Sequence, residues 1–305
     1  AGRTDVYLAA GMGLVRVAVS ADKIGEFGIV ERADARDVAV ARHPVDESGT
    51  RRRHLAVGTA TDLLGAPLPG DADTPDASAR GGDRADPSLD FSATGLGPTA
   101  AVGVHDGAFL AATADGDVWR VDPDAAVANG GDPLAERSDG AARLGTVEGP
   151  AAVDGPLVAA ADGVHRAVGD GLESVGLADA RDVAGAGVPL AATAEGLFWL
   201  GNGWMDALVG GFRAGAADGD GHALAVDEEG ALSVHAGGGF AADAWETASL
   251  PVPDPAAAVA YGPGLALAAT DAGTLCVDAG DGWRHRTVGV REVRGIAAVR
   301  AAGGR

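Results

Sequence analysis

The sequence predicts an all-β protein: a seven-bladed β-propeller of four-stranded blades, in a single domain over residues 1–305. Two observations predict this fold. A two-strand pattern occurs seven times along the chain, and its spacing closes on itself at the chain ends. Each copy has a short apolar run, a tight acidic or glycine turn and a second apolar run, which is the signal of a β-hairpin rather than of a helix.

The seven copies align on one aliphatic position each. These positions are Leu8, Leu55, Leu110, Val158, Leu190, Leu224 and Leu267. Successive copies lie 32 to 55 residues apart, and 46 residues separate the last copy from the first through the C-terminus. Since that remainder has the length of one repeat, the sequence predicts a closed ring of seven units.

Further strands flank the hairpins. Before most hairpins lies a short apolar strand, at 36–41, 99–104, 151–155, 181–186 and 256–261. After each hairpin comes a more polar one, at 25–31, 89–95, 142–148, 172–178, 204–210, 245–252 and 283–290. The first repeat lacks its leading strand, and residues 291–301 are left over. We expect that segment to pair beside residues 4–10, so that the terminal strands complete blade 1 and close the ring.

Composition narrows the class of protein. The chain has 44 acidic and 23 basic residues, a net charge of −21, and Lys23 is its only lysine. Such a charge repels phosphate backbones and anionic lipids, so we expect no nucleic-acid or membrane partner. The acidic, alanine-rich composition resembles proteins of salt-loving archaea, where molar salt shortens the screening length to about 3 Å. Since Cys276 is the single cysteine, an internal disulfide is excluded. We also expect a cytoplasmic protein, because no long apolar targeting segment is seen.

Four turns before the outer strands carry a family resemblance. The segments DAGDGW (278–283), LGNGW (200–204), VGDGL (168–172) and GGGFAADAW (237–245) resemble the Asp-box, or BNR, repeat of propeller blades. The whole chain is also similar to a haloarchaeal family of seven-bladed β-propellers. This resemblance implies the fold and brings no known catalytic residue. Asp-box sialidases use a tyrosine in their site, and neither Tyr7 nor Tyr261 lies in a sialidase motif.

Charged residues open several of the innermost strands. They are Arg36, Asp37, Arg181, Asp182, Arg213, Arg291 and Glu292, with Arg294 close behind. In propeller topology they should surround one mouth of the axial channel. Guanidinium groups there can bind a carboxylate or a phosphate. The alternative, which the residue types favour, is that arginines and acids of neighbouring blades pair with each other.

Three insertions are expected on the opposite face, at 43–54, 69–88 and 122–141. Their composition predicts mobile, solvated loops, either a docking site for a partner or tolerated surface elaboration. The acidic clusters at 71–76 and 218–222 do not continue into a calcium-binding loop, so we expect no metal and no cofactor.

These observations predict a non-catalytic interaction scaffold for a protein partner or a small anionic ligand in a high-salt cytoplasm. The alternative is a hydrolase or lyase at the channel mouth, where arginines bind an anionic substrate and Asp37, Asp182 or Glu292 moves protons. The sequence carries no complete catalytic constellation. It leaves the identity of the partner and the oligomeric state open.

Overall fold

A computed structural model describes residues 2–45, 51–69, 89–128, 133–136 and 139–301. In these residues the chain forms 28 strands in seven four-stranded antiparallel sheets, one short helix and two 3-10 turns. The predicted seven-bladed propeller is thereby confirmed. Within the same residues, no helix has the length and apolar character needed to cross a membrane.

The strands are numbered in chain order and grouped by blade, from the first strand at the axis to the fourth at the rim. Blade 1 contains β1 (Arg3–Ala10), β2 (Gly13–Ser20) and β3 (Lys23–Glu31), and its first strand is β28 (Val293–Arg300). Blade 2 contains β4 (Ala35–Val45), β5 (Arg51–Thr59), β6 (Leu63–Leu68) and β7 (Ser92–Ala93). Blade 3 contains β8 (Thr99–His105), β9 (Ala108–Thr113), β10 (Asp117–Val121) and β11 (Ala141–Thr146).

The other four blades are built in the same way. Blade 4 contains β12 (Pro150–Asp154), β13 (Leu157–Ala160), β14 (Gly163–Val168) and β15 (Gly171–Gly176). Blade 5 contains β16 (Ala180–Ala184), β17 (Leu190–Thr193), β18 (Gly196–Leu200) and β19 (Trp204–Val209). Blade 6 contains β20 (Phe212–Ala217), β21 (Ala223–Asp227), β22 (Leu232–His235) and β23 (Trp245–Ala248). Blade 7 contains β24 (Ala256–Gly262), β25 (Leu265–Thr270), β26 (Thr274–Asp278) and β27 (Arg284–Thr287).

The repeated aliphatic position lies in the second strand of every blade and is at most 1% exposed. Each second strand is hydrogen-bonded on both sides and covered on both faces by neighbouring blades, which accounts for its continuous apolar run. Apolar clusters fill the spaces between blades; Leu8 of blade 1, for example, packs with Leu267 and Val277 of blade 7. Fourth strands face solvent, and all four residues of β27 are exposed.

The ring closes by pairing of the terminal strands. Strand β28 lies antiparallel to β1, with Thr4 opposite Arg300 and Leu8 opposite Ile296. The Arg53 guanidinium of blade 2 donates a hydrogen bond to the carbonyl oxygen of Arg300. At the rim, Arg286 of blade 7 donates to the carbonyl oxygens of Ile24 and Gly25 in blade 1. Blade 1, which the closing strand completes, is therefore linked to the blades on both of its sides.

Two of the predicted insertions differ from expectation where they are described. The segment 43–54 is strand at both ends, because β4 extends to Val45 and β5 begins at Arg51. In 122–141, helix α1 (Pro123–Ala126) and a 3-10 turn (Leu134–Glu136) bury Ala126 and Leu134 against blades 2 and 3. The described part of 122–141 is therefore anchored to the ring by these two buried side chains. Residues 46–50, 70–88, 129–132 and 137–138 lie outside the described residues.

Blade 2 has the shortest fourth strand, and the packed insertion lies beside it. Strand β7 has two residues, where the sequence predicts a strand over 89–95. The Ser92 hydroxyl donates to the carbonyl oxygen of Val127 (3.2 Å), and the Leu134 N–H donates to the carbonyl oxygen of Thr94 (2.8 Å). The insertion of blade 3 thus supplies hydrogen-bond partners to residues 92–94 of blade 2, beside its short fourth strand.

Candidate functional site

A β-bulge begins the first strand of every blade. In each pairing with the second strand, one residue near the start is skipped, so that it has no partner across the ladder. The seven skipped residues, from blade 1 to blade 7, are Arg294, Arg36, Ala100, Ala151, Arg181, Arg213 and Ala257. A bulge turns its extra side chain out of the sheet. The four arginines therefore occupy one equivalent position, repeated around the axis.

The first strands enclose an axial channel with a cavity of about 390 Å³. All four bulge arginines line it, together with Asp37, Asp154 and Asp182 and many alanine and glycine residues. Small residues are needed there because the strands approach each other closely. A Cβ on Gly103 would lie 2.5 Å from the carbonyl oxygen of Val153 in the next blade. The channel combines guanidinium groups at its mouth with carboxyl groups deeper inside.

Three of the mouth arginines are bound to the following blade. Arg181 forms an ion pair with Glu228 of blade 6. Arg213 donates to the carbonyl oxygen of Ala256 and lies 3.6 Å from the carboxylate of Asp271, both in blade 7.

Arg294 closes the ring in the same manner. It donates to Oδ1 of Asp34 (2.6 Å) in blade 2 and to Oε2 of Glu292 (2.7 Å) in its own blade. It also reaches the carbonyl oxygen of Ala35 (3.4 Å), which is equivalent to Ala256 in blade 7. These three side chains thus have their charge compensated within the protein.

Arg36 is different. It is half-buried, and its side chain forms no hydrogen bond or ion pair with any residue in the described parts of the chain. Two positions of the next blade supply acids to the other mouth arginines, and blade 3 has an acid at neither. It has Ala114 where blades 6 and 7 have Glu228 and Asp271, and Pro98 where blade 2 has Asp34. Among the residues that the structure describes, the Arg36 guanidinium at the channel mouth therefore has no counter-charge.

The channel aspartates are bound to backbone rather than to arginine. Oδ1 of Asp37 accepts the N–H of Val38 (2.8 Å), and Oδ2 accepts the N–H of Val102 in blade 3 (2.9 Å). Asp182 repeats this geometry with Val183 (2.9 Å) and Gly215 of blade 6 (2.8 Å).

Asp154 links blades 4 and 5 one layer deeper. Its Oδ2 accepts the N–H of Gly185 at 2.7 Å. Each of the three carboxyl groups thus joins one first strand to the next. The expected pairing of arginines with acids of neighbouring blades is found for Arg181, Arg213 and Arg294. It is wrong for Asp37 and Asp182.

Burial dominates the protonation of these acids. It raises the pKa of Asp37 and of Asp182 to about 7, although the backbone hydrogen bonds favour the charged form. The negative charges of Asp37 and Asp154 add to the shift at Asp182. Burial also raises the pKa of Asp154. Near neutral pH the channel interior therefore carries less negative charge than its composition implies.

The structure brings together five of the seven predicted site residues: Arg36, Asp37, Arg181, Asp182 and Arg213 all line the channel. Arg291 and Glu292 are exposed and do not line it, because they precede β28 and its bulge. The equivalent residue of blade 1 is Arg294. Asp154 was not predicted, although the seven-fold alignment of first strands would have placed its side chain on the same face as Asp37.

Two acidic turns use their carboxylates locally. Oδ1 of Asp278 accepts the N–H groups of Gly280 (2.7 Å) and Gly282 (3.1 Å), which organises the DAGDGW turn. Asp218 accepts the N–H groups of Asp220 and His222 in the same way, and its Oδ2 lies 2.6 Å from Nδ1 of His222. Within the described residues, no three His, Cys, Asp or Glu side chains lie close enough together to share a metal ion.

Comparisons with known proteins agree with this architecture. The family model described as Beta-prop_HVO_0234-like, beta propeller, matches residues 1–299. No curated protein matches the chain.

Among solved structures, the WD40 beta propeller domain of Doa1 is 13% identical with a TM-score of 0.57, over 96% of this chain and 90% of that one. YCF48 bound to D1 peptide is 13% identical with a TM-score of 0.55, over 88% of this chain and 92% of that one. Human WBSCR16 is 15% identical with a TM-score of 0.53, over 91% and 88%. At these identities the likeness concerns the fold alone.

Proposed function

The chain belongs to the HVO_0234-like beta-propeller family, and we propose that it is a non-catalytic binding module that holds a small carboxylate-bearing ligand at the mouth of its axial channel. The observation that carries this proposal is the unpaired guanidinium of Arg36. Its three counterparts have acidic or carbonyl partners in the next blade, and Arg36 has none among the described residues.

An unpaired guanidinium on a cavity wall favours an anion. Arginine presents a planar fork of N–H donors that matches the two oxygens of a carboxylate. The cavity of about 390 Å³ falls in the size range of small-molecule sites. The raised pKa values of Asp37 and Asp182 reduce the repulsion that an anion would meet deeper in the channel. These features together support capture of a carboxylate rather than of a cation.

The hydrolase or lyase alternative has one observation in its favour. Two channel carboxyl groups have pKa values of about 7, which suits proton transfer near neutral pH. However, both oxygens of each group accept backbone N–H groups from the strands that they join. A structural role explains these contacts without a reaction. Turnover of a carboxylate ligand that is lost in Asp182→Asn, with ligand binding unchanged, would instead favour the enzyme.

The test is a titration of 4-fluorobenzoate followed by ¹⁹F NMR in about 1 M KCl, where long-range charge effects are screened. Wild-type protein should bind the probe, and Arg36→Gln should weaken binding by at least about tenfold. Neutral 4-fluorobenzamide, which lacks the carboxylate, should bind neither the wild-type protein nor the variants. Arg291→Gln is the matched control, since it removes an arginine outside the channel, and should leave the affinity unchanged.

A second variant blocks the guanidinium without removing it. Ala114→Glu places an acid where blade 6 has Glu228, so that it can pair with Arg36 as Glu228 pairs with Arg181. We expect this variant to lose the probe as fully as Arg36→Gln. Equal affinity of wild type, Arg36→Gln and Ala114→Glu would overturn the proposal. Melting curves of each variant check that the ring remains folded.

A further inference from the structure

The face that carries the channel mouth has two concentric zones of opposite charge. The bulge arginines form the inner zone. Five consecutive blades place an exposed acid in the turn between their second and third strands, and these acids form the outer zone: Asp115, Asp162, Glu195, Glu228 and Asp271. Blade 6 adds the exposed Glu229.

The register of the strands fixes the relation between the two zones. Each first-strand bulge lies opposite the last residues of a second strand, directly before the acidic turn. The contacts of Arg181 with Glu228 and of Arg213 with Asp271 show that the zones touch. Glu195 and Glu229 differ from these acids because their carboxylates make no hydrogen bond or ion pair with the described residues.

This arrangement discriminates between kinds of carboxylate. The acidic zone surrounds the mouth, and its charges repel a free anion that approaches. A carboxylate that carries positive charges beside it meets attraction from the acidic zone and from Arg36 together. In about 1 M salt the screening length is about 3 Å, so only groups in near contact contribute. The preference for a carboxylate with neighbouring positive charges should then persist in molar salt, provided that those charges contact the acidic turns of the outer zone.

We infer that the mouth takes the C-terminal carboxylate of a polypeptide that has lysine or arginine just before its end. The inference rests on the proposed function, since it assigns a ligand class to the same Arg36 site. Seven strands surround the cavity on all sides. Alanine and glycine line this cavity because the strands approach each other closely, and a chain end needs less width at the mouth than a loop that enters and returns.

The cavity size agrees with a chain end. Its volume of about 390 Å³ is on the order of ten times the share of one liquid water molecule, about 30 Å³. The cavity at the mouth can therefore hold the terminal carboxylate on Arg36, while the residues before it extend outward and place their basic side chains among the turns. Glu195 and Glu229 are the acids left free to receive them.

The experiment uses fluorescein-labelled short peptides and fluorescence anisotropy in about 1 M KCl. One peptide has two lysines before a free C-terminal carboxylate, a second is its C-terminal amide, and a third replaces the lysines with glutamates. The lysine peptide with a free carboxylate should bind at least about tenfold more tightly than either of the others. Arg36→Gln and Ala114→Glu should abolish that advantage.

The acidic zone is tested by a pair of variants with equal charge. The double variant Glu195→Gln, Glu229→Gln should weaken the lysine peptide by about threefold or more, and leave 4-fluorobenzoate binding unchanged or slightly stronger. The control, Asp243→Asn with Asp281→Asn, removes two exposed acids from the turns between third and fourth strands, at the other face. It should change neither affinity.

The outcomes separate the two proposals. If 4-fluorobenzoate binds through Arg36 but the lysine peptide is no tighter than the glutamate peptide or the amide, the further inference is wrong and the proposed function stands. If neither the probe nor the peptide depends on Arg36, both are wrong. Equal loss of peptide binding in the two double variants would also overturn the role of the acidic zone.

Discussion

Oδ2 of Asp182 accepts a hydrogen bond from the backbone N–H of Gly215 at 2.8 Å, and this contact joins the first strands of blades 5 and 6. Asp37 makes the same contact with Val102 between blades 2 and 3. Asp154 and Gly185 join blades 4 and 5. Three neighbouring pairs of innermost strands are thus linked by half-buried carboxyl groups, at the place where the ring also forms its cavity.

These links make stability depend on pH. The pKa of Asp37 and of Asp182 is about 7 in the folded protein, above the ordinary value of 3.8. The folded state therefore binds these protons more tightly than the unfolded state, and the free energy of unfolding falls as pH rises from about 4 to about 7. We expect the double variant Asp37→Asn, Asp182→Asn to show a smaller fall. Urea unfolding at pH 5 and pH 8 in constant molar KCl measures it.

The control for this measurement is Asp243→Asn with Asp281→Asn, which alters net charge equally through two exposed acids. That variant should keep the wild-type dependence on pH. The same slope in all three proteins would show that the channel aspartates do not titrate in this range.

A tryptophan joins the rims of blades 4 and 5. The indole N–H of Trp204 donates to the carbonyl oxygen of Val175, in the fourth strand of the preceding blade, at 2.8 Å. Trp204→Phe keeps most of the packing and removes this donor, so it should lower the free energy of unfolding by about 1 kcal/mol. Trp283→Phe is the matched control, because Trp283 forms no hydrogen bond with the described residues and should lose less. Denaturant midpoints compare the two, and equal losses would argue against the indole contact.

Close approach of the first strands requires glycine at residue 103. Gly103→Ala would place a methyl group 2.5 Å from the backbone oxygen of Val153, which cannot move without shifting β12. We expect a loss of about 1–3 kcal/mol in the free energy of unfolding. Gly203→Ala should have little effect, since nothing lies within 4 Å of its Cβ position. Chemical denaturation of both variants checks this, and a Gly103 variant as stable as wild type would contradict the packing described.

Net charge should make the fold sensitive to salt. With a formal charge of −21, self-repulsion acts over about 10 Å at 0.1 M salt and over about 3 Å at 1 M. We expect the melting temperature to fall when KCl is reduced from about 2 M to about 0.1 M. Circular dichroism at a fixed heating rate measures it, and a constant melting temperature would show that acidic repulsion does not limit stability.

The ring was predictable because every blade must bury its second strand. Leu8, Leu55 and Leu267 are equivalent in the structure as they are in the repeat, and an apolar run buried on both faces leaves a clear signal. Fourth strands are exposed and lack that constraint. The prediction of a full strand over 89–95 therefore failed, since the packed insertion covers that part of blade 2.

The sequence predicts that charged residues of the first strands surround the channel mouth, but it does not show which of the neighbouring arginines occupies each bulge. Arg291 and Arg294 lie three residues apart, and only the pairing of Val293 with Ala10 and of Gly295 with Ala9 shows that Arg294 occupies the bulge. The isolation of Arg36 depends on Pro98 and Ala114 of the next blade, which become relevant only when adjacent blades are superimposed. Composition alone favours pairing of every arginine with an acid.

The most direct test of the account is a crystal structure of the protein soaked with 4-iodobenzoate, compared with the same soak of Ala114→Glu. We predict an anomalous iodine peak inside the ring of first strands, with both carboxylate oxygens within hydrogen-bond distance of the Arg36 guanidinium, and no such peak in the variant. Iodobenzoate held elsewhere on wild-type protein, or held equally in both proteins, would contradict the assignment of Arg36 as the anchor.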